Sequence, residues 1–432
     1  MKFPLSTAAA VFLACAATFP LAGCGGKPDH FPVIPTHSTP SANAFDFFCK
    51  AANGAYTALN SAPISSGIPS DAVISTYATY TPQQKAAVLK VAAPYLTVMR
   101  PGFAYPYVNP ATRDWDQPIT YYARFRLLAW ILKLDGDIKA AHGDWSGAAD
   151  DYADAMQLGV AMPHGSTMLG LQVGLACEAI GRKDLWLTVP HLTGDKARSL
   201  QARINNIESQ RASITSNFAE YKYESQATLL KFYQNPNWAS AIAADEVKGR
   251  RSTQAEVDEF MLDLTLKSLG KQKLFDELTG YDDAVLKQLS APYAGKAGTL
   301  HATVDPLTRY AYSSVNQDPN EGAPLEARYV DAQTQNAMLS TELALRQYWL
   351  SHHKYPAMLS TLVPNYSARV PADPFATSGS LLYRNAAGTF VLYSVGPDGK
   401  DNSGVPITIT SGHPGPWVYS KSTGDIVAGI NP

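Results

Sequence analysis

The side chains that could carry chemistry are thiols, clustered carboxylates and a few histidines. Cys49 and Cys177 lie in apolar runs, Phe47-Phe48-Cys49 and Leu175-Ala176-Cys177. They read either as the two halves of a disulfide or as two small buried hydrophobes. A bond would close a long loop and add up to about 4–5 kcal/mol by the chain-entropy model. Spacing alone leaves both readings open. Neither the cysteines nor the histidines have the spacing of a zinc site. Carboxylates gather at Asp150, Asp151 and Asp154, and again at Glu256, Asp258, Glu259 and Asp263. Such groups do acid–base work only in a concave, partly desolvated site; on amphipathic helices they read as solvated faces. The nine histidines are scattered. His352-His353 falls at a helix end, where positive charge complements the dipole. His164-Gly165-Ser166 reads as a helix start with Ser166 as N-cap, not as a nucleophile motif. The sequence holds no Gly-x-Ser-x-Gly elbow, His-Glu-x-x-His, P-loop or dinucleotide fingerprint. No catalytic residue is assigned, and enzymatic activity is left open, leaning to none.

The elements that must position these groups belong to a chain of 432 residues, 46% hydrophobic and 17% charged. That is apolar enough for a sizeable core, which excludes a largely disordered protein. Lys plus Arg number 35 against 37 acidic residues, a formal charge of −2, and no basic run interrupts the balance. Nucleic acid is therefore excluded as a partner.

Residues 1–23 have the layout of an export signal, with Lys2 ahead of an apolar stretch around Ala8–Ala17. The stretch is shorter than the ~20 apolar residues a membrane span needs. It ends in Leu21-Ala22-Gly23-Cys24, which resembles the lipobox of bacterial lipoproteins. The resemblance implies cleavage before Cys24, loss of Cys15 with the leader, and acylation of the Cys24 thiol. Two or more acyl chains anchor stably where one does not, so the membrane becomes a partner through Cys24. Gly25 stands where inner-membrane lipoproteins often carry Asp, which favours the outer membrane if the organism is diderm. Residues 24–43 include four prolines and little periodicity and read as a flexible tether.

From 44 to 300 the period is helical. Thr81-Pro82-Gln83-Gln84 predicts a helix start with Thr as N-cap, Pro at N1 and a capping box closed by Gln84. A second helix is expected from Ile119 to Ala141. In the next, Trp145, Ala148, Tyr152 and Ala155 recur at steps of three and four. This pattern resembles the second helix of a tetratricopeptide repeat, with Gly136 at the small-residue position of the helix before it. Leu132 and Lys139 stand where aromatics belong, and no second copy follows at the ~34-residue period. Small Ala148 and Ala155 would let the helices approach while Trp145 and Tyr152 fill the gap. Asp195–Phe232 reads as one long helix or two joined ones, and further helices are expected over 254–269 and 281–289.

From 301 to 432 the pattern becomes α+β. A long helix is expected from about Pro324 to His353, with Met338, Leu345 and Trp349 on one stripe and Leu339, Leu343 and Leu350 on another. Glu342 and Arg346 form an i,i+4 pair between them. Two stripes predict a helix gripped on two sides, by its own sheet and by the helical body. Short strands follow at 381–384, 389–395, 417–419 and 425–427. The fold class is thus a mainly α-helical body followed by a small α+β module, a long helix plus a short antiparallel sheet.

The string Ala344-Leu345-Arg346-Gln347-Tyr348, Lys354-Tyr355-Pro356, Leu362-Val363-Pro364, Asp373-Pro374-Phe375 and Tyr393-Ser394-Val395-Gly396-Pro397-Asp398-Gly399 is similar to the C-terminal half of the major pseudopilin of type II secretion. The likeness covers about a fifth of the chain. The prepilin-peptidase site and filament-building helix of that family are absent, so filament membership does not carry over. In the family the loop after the Gly-Pro-Asp-Gly turn binds calcium, which implies a site at Asp398, Asp401, Asn402 and Ser403, with Asp425 as a distant ligand. Hard cations take six to eight oxygens; the alternative is an Asp/Gly turn whose side chains bond their own backbone. Lys400 must then face solvent.

Together these features predict a membrane-anchored envelope lipoprotein that acts as a non-enzymatic scaffold for protein partners. An accessory of a type II secretion or pilus-like machine is the alternative, and a hydrolase of envelope polymers the third.

Overall fold

The computed structural model describes residues 29–36, 38–62, 67–68, 78–110, 113, 119–246, 253–294, 322–386, 388–407, 418–420 and 422–430. The export signal, Cys24 and the expected boundary near 300 lie outside them. Contacts divide the chain into two units, Met1–Val33 and Ile34–Pro432. In the first, only residues 29–33 are described, and they form no regular element. All that follows concerns the second.

Helix α1 (Ala44–Asn60) starts at Asn43, whose Oδ1 accepts the Phe45 N–H. Helix α2 (Pro82–Met99) has the predicted capping box: the Gln84 N–H donates to Thr81 Oγ1 (3.2 Å) and the Thr81 N–H to Gln84 Oε1 (2.8 Å). Helices α3 (Tyr121–Ala141) and α4 (Trp145–Ala161) form a hairpin whose second arm is capped by Asp144. A Cβ on Gly136 would lie 2.5 Å from the Tyr152 ring, so the close approach read from the sequence requires glycine there. Trp145 does not fill that gap; it stacks on His191, 3.8 Å between centroids.

Helix α5 (Met168–Thr188) packs more closely still on α4, since a Cβ on Gly159 would sit 2.4 Å from the Glu178 backbone nitrogen. The 195–232 stretch is two helices, α6 (Gly194–Ser209) and α7 (Ile214–Tyr233), parted by a turn from which Ser213 caps α7. Helices α8 (Trp238–Glu246), α9 (Thr253–Leu269) and α10 (Lys271–Leu289) follow. Helix α10 begins at Lys271, well before the expected 281, because Gly270 at φ +79° supplies the break. The main core joins α1 to α5 around Phe48, Phe125, Leu128 and Leu132, all fully buried. Phe48 and Phe125 meet edge to face, centroids 6.2 Å apart.

Helix α11 (Gly322–His352) is long, as its pattern predicts, and both stripes are buried at Met338, Leu339, Leu343 and Leu345. It lies against α5 and α6 on one side and β2 on the other. The sheet is antiparallel in the order β1 (Leu382–Ala386), β2 (Thr389–Ser394), β3 (Ile426–Val427). Its register pairs Tyr383 with Leu392 and Tyr393 with Val427. The expected 417–419 strand is not formed at Val418 and Tyr419, and Trp417 lies outside the described residues. The chain is thus a mainly helical body followed by a long helix and a small antiparallel sheet. No helix among the described residues is long and apolar enough to cross a membrane.

Candidate functional site

The seam between α11 and the body is polar, although both surfaces are deeply buried. Glu178 on α5, fully buried, accepts from Arg182 (3.1 Å) and from both terminal nitrogens of Arg211 (2.7 and 3.0 Å). Arg211 also bridges to Glu208 (2.7 Å). From α11, the Asn336 amide donates to Glu178 (2.8 Å) and to Glu208 (2.7 Å). Burial alone would push the Glu178 carboxyl up; Arg211, Arg182 and Asn336 outweigh it and hold it below its usual range. The contact runs on along α11. The Tyr329 hydroxyl donates to the Ala212 carbonyl, Ser340 to Asn205, Arg346 to the Leu192 carbonyl and Gln347 to Gln201. Asp331 sits in the same seam. Burial pushes its carboxyl up to about 7, with Arg182 and Gln335 acting in the opposite direction.

The expected Glu342–Arg346 pair is not formed. Arg346 turns to Leu192 and lies over the Trp349 ring at 5.1 Å. Half-buried Glu342 is left without an ion-pair partner among the described residues, and burial pushes its carboxyl up to about 8. The bond to the Leu192 carbonyl and the seat on Trp349 win over a helix-surface pair worth only a few tenths of a kcal/mol.

The two acidic clusters part company. Asp151 and Asp154 are buried, contrary to the solvated face expected of them. Arg100 reaches Asp151 at 2.6 Å and Asp154 at 2.8 Å, Lys139 reaches Asp151 at 2.6 Å, and Arg203 reaches Asp154 at 2.5 Å. Lys139, the departure from the tetratricopeptide pattern, therefore supplies a charge where that pattern has an aromatic. Asp150 fits the expectation better: it is exposed, though paired with Lys196 at 2.6 Å. On α9, Glu256 is exposed and Asp258 and Glu259 are partly so, while Asp263 pairs with Lys267 on its own helix.

At the C-terminal loop the structure brings Asp398, Asp401, Asn402, Ser403 and Asp425 together beside the ends of β2 and β3. Each carboxylate already accepts hydrogen bonds. Asp398 takes the N–H of Lys400 (3.0 Å) and Gly424 (3.3 Å). Asp401 takes the Ser403 N–H (2.8 Å) and the Tyr393 hydroxyl (3.2 Å). Asp425, fully buried, takes the N–H of Asn402 (3.1 Å) and Gly404 (2.6 Å). Burial pushes Asp425 up, and neighbouring Asp401 and Asp398 push it further. The loop is thus rich in hard oxygen donors and locally anionic, as a cation requires. Lys400 is exposed. Among the described residues, no group of three or more His, Cys, Asp or Glu side chains is arranged to hold a metal. An ion would have to draw carboxylate lone pairs not committed to the backbone.

Asp373, quoted above only within a family-like string, anchors this module. It is buried and accepts from the Phe375 N–H (3.0 Å), the Ser394 hydroxyl (2.7 Å) and the Val395 N–H (2.9 Å), tying the Asp-Pro turn to the end of β2. The Asp-Pro dipeptide signals a turn; its reach to residue 394 has no local signal.

The remaining sites are plain. Cys49 and Cys177 are free thiols, so the disulfide reading is not met, and burial pushes each up to about 12. Ser166 is not the N-cap. Thr167 takes that position, and fully buried Ser166 donates to the Pro163 carbonyl (2.9 Å). Asn217 from α7 donates to the carbonyls of Pro163 and Ser166, so this turn closes on itself. His352 bonds the Tyr348 carbonyl through Nδ1 (3.0 Å) in the last turn of α11, as its position predicts. Compared with protein-family models, with curated proteins and with solved structures, the chain matches none.

Proposed function

We propose that this protein is a lipid-anchored envelope scaffold, tethered at Cys24, whose helical body braces a pseudopilin-like module for contact with protein partners. The observation that carries the reading is the seam. A pilin-like helix left free to assemble would keep a face along its length available, whereas here Tyr329, Asn336, Ser340 and Gln347 are spent on the body. The module's outward side keeps Met358, Val405 and Ile430 each more than half exposed, apolar groups suited to a partner. The pseudopilin likeness supports a narrower form of the proposal, an accessory of a type II secretion or pilus-like machine.

Calcium belongs to the same proposal, at Asp398, Asp401, Asn402, Ser403 and Asp425. Extracellular sites of this class bind at about 0.1–1 mM, and binding to the native state alone raises its melting temperature. The test combines both parts. In cells, Cys24→Ser should release the chain from the membrane fraction. In the purified protein, millimolar calcium should raise the melting temperature over chelator, and Asp398→Ala with Asp401→Ala should abolish the rise. A Cys24→Ser chain that is cleaved yet still pellets with membranes overturns the anchor. Melting indifferent to calcium reduces the loop to a turn.

A further inference from the structure

Away from the seam and the loop, a half-open cavity of about 400 Å³ lies between α1, the segment after α2, and the C-terminal ends of α4 and α6. Its volume falls within the range of small-molecule sites, about 300–1,000 Å³. One wall is aromatic: Phe103 and Tyr105 keep open surface, and buried Phe48 and Tyr107 back them. These rings are held in place: Phe48 contacts Phe103 edge to face (5.4 Å) and Tyr107 face to face (6.0 Å), and Tyr105 stacks on Phe47 (5.2 Å). A rigid wall of rings takes a flat ring with little ordering cost.

The lining also includes Val160 and Ile207 with three polar residues, Gln157, His164 and Gln210. His164 is the informative one. Its Nδ1 lies 3.0 Å from the Ala161 carbonyl, which can only accept, so Nδ1 holds the proton. In that tautomer Nε2 carries a lone pair as acceptor, and no partner among the described residues engages it. Gln157 accepts from Arg203 through Oε1 (3.0 Å), which leaves its amide N–H groups as donors. An apolar slot with an acceptor on one side and a donor beside it matches a planar aromatic molecule bearing a hydroxyl or ring N–H.

We infer that this cavity binds a free small aromatic molecule with one hydrogen-bond donor, of phenol or indole class, with the ring against Phe103 and Tyr105 and the donor on His164 Nε2. The inference does not depend on the scaffold reading, because neither the open rings nor His164 is among the groups bonded in the seam or the carboxylate loop.

The test is calorimetric titration of the full-length protein with 2-naphthol and with its methyl ether, 2-methoxynaphthalene, which keeps the rings and loses the donor. Saturable one-to-one binding of 2-naphthol is expected, with the ether about tenfold weaker for the lost hydrogen bond. Ala104 is exposed at the cavity lining, so Ala104→Trp should close the site without disturbing the core, and should abolish binding with the circular dichroism unchanged. His164→Ala should bring the two ligands to equal affinity. Heat that is unsaturable, or identical in Ala104→Trp, overturns the site. An ether that binds wild type as well as 2-naphthol overturns the His164 contact. N-acetyltyrosinamide binding more tightly than 2-naphthol overturns the free-ligand assignment in favour of a partner's side chain.

Discussion

Helix α11 is held to the body and to its own module by opposite means. Against the body it is locked by polar groups, with Glu178, Arg211 and Asn336 at the centre and Ser340, Arg346 and Gln347 farther along. Toward its own module it is held by rings. Tyr348 stacks on His352 (4.1 Å) and meets Tyr366 edge to face (5.5 Å), and the Tyr355 and Phe390 rings pack 4.7 Å apart beside it. Ring packing tolerates small shifts of register, whereas a buried carboxylate shared by two guanidinium groups and an amide is satisfied in one register only. The polar bonds to the body therefore fix where the module sits, and the ring contacts hold the module to the end of the helix.

That contrast can be broken most severely at Arg211. Truncation to Ala leaves buried Glu178 beside partly exposed Glu208 with only Arg182 of its two guanidinium partners, and stability to urea should fall by about 3 kcal/mol. Asp373→Ala comes next. It strands three donors inside the module and should cost about 2–3 kcal/mol, with added proteolytic cleavage confined to the sheet end.

Two carboxyls at the helix respond to pH with opposite sign. Glu178 has a depressed carboxyl, so its contribution is present at neutral pH and is lost as pH falls below the usual carboxylate range. Glu342 is raised from 4.5 to about 8, which has the opposite sign: the folded state holds the proton more tightly, so stability declines as pH rises from about 4.5 to about 8. Glu342→Gln should remove its share of that decline, the share of Asp331 persisting, and leave the acid limb unchanged in a pH series of urea midpoints. The smallest effect is expected on α9. Lys267→Ala breaks only an exposed i,i+4 pair with Asp263 and should change stability by less than about 0.5 kcal/mol.

Local features were legible in the sequence where the cause is local. The Thr81–Gln84 capping box, the Gly136–Tyr152 approach and the two stripes of α11 all follow from spacing along one or two neighbouring elements. The fate of the carboxylates was not legible. Asp151 and Glu256 have similar neighbours in sequence, but Arg100 lies 51 residues from Asp151 and still reaches it. Asn336 meets Glu178 across 158 residues. Only the fold decides which acid finds a distant cation, and an i,i+4 partner such as Arg346 yields when packing offers it something better. The free thiols Cys49 and Cys177 make the same point, since both belong to one core and remain unbonded.

Hydrogen exchange of the α11 amides, read against those of α5 in the full-length protein, tests the brace most directly. If the body and the module's helix form one cooperative unit, the amides around Asn336–Leu345 exchange only through the opening that also exposes α5. In Arg211→Ala, α11 should then exchange through a smaller opening while α5 stays protected. Faster exchange of α11 in the wild-type protein, with α5 still protected, would contradict the brace.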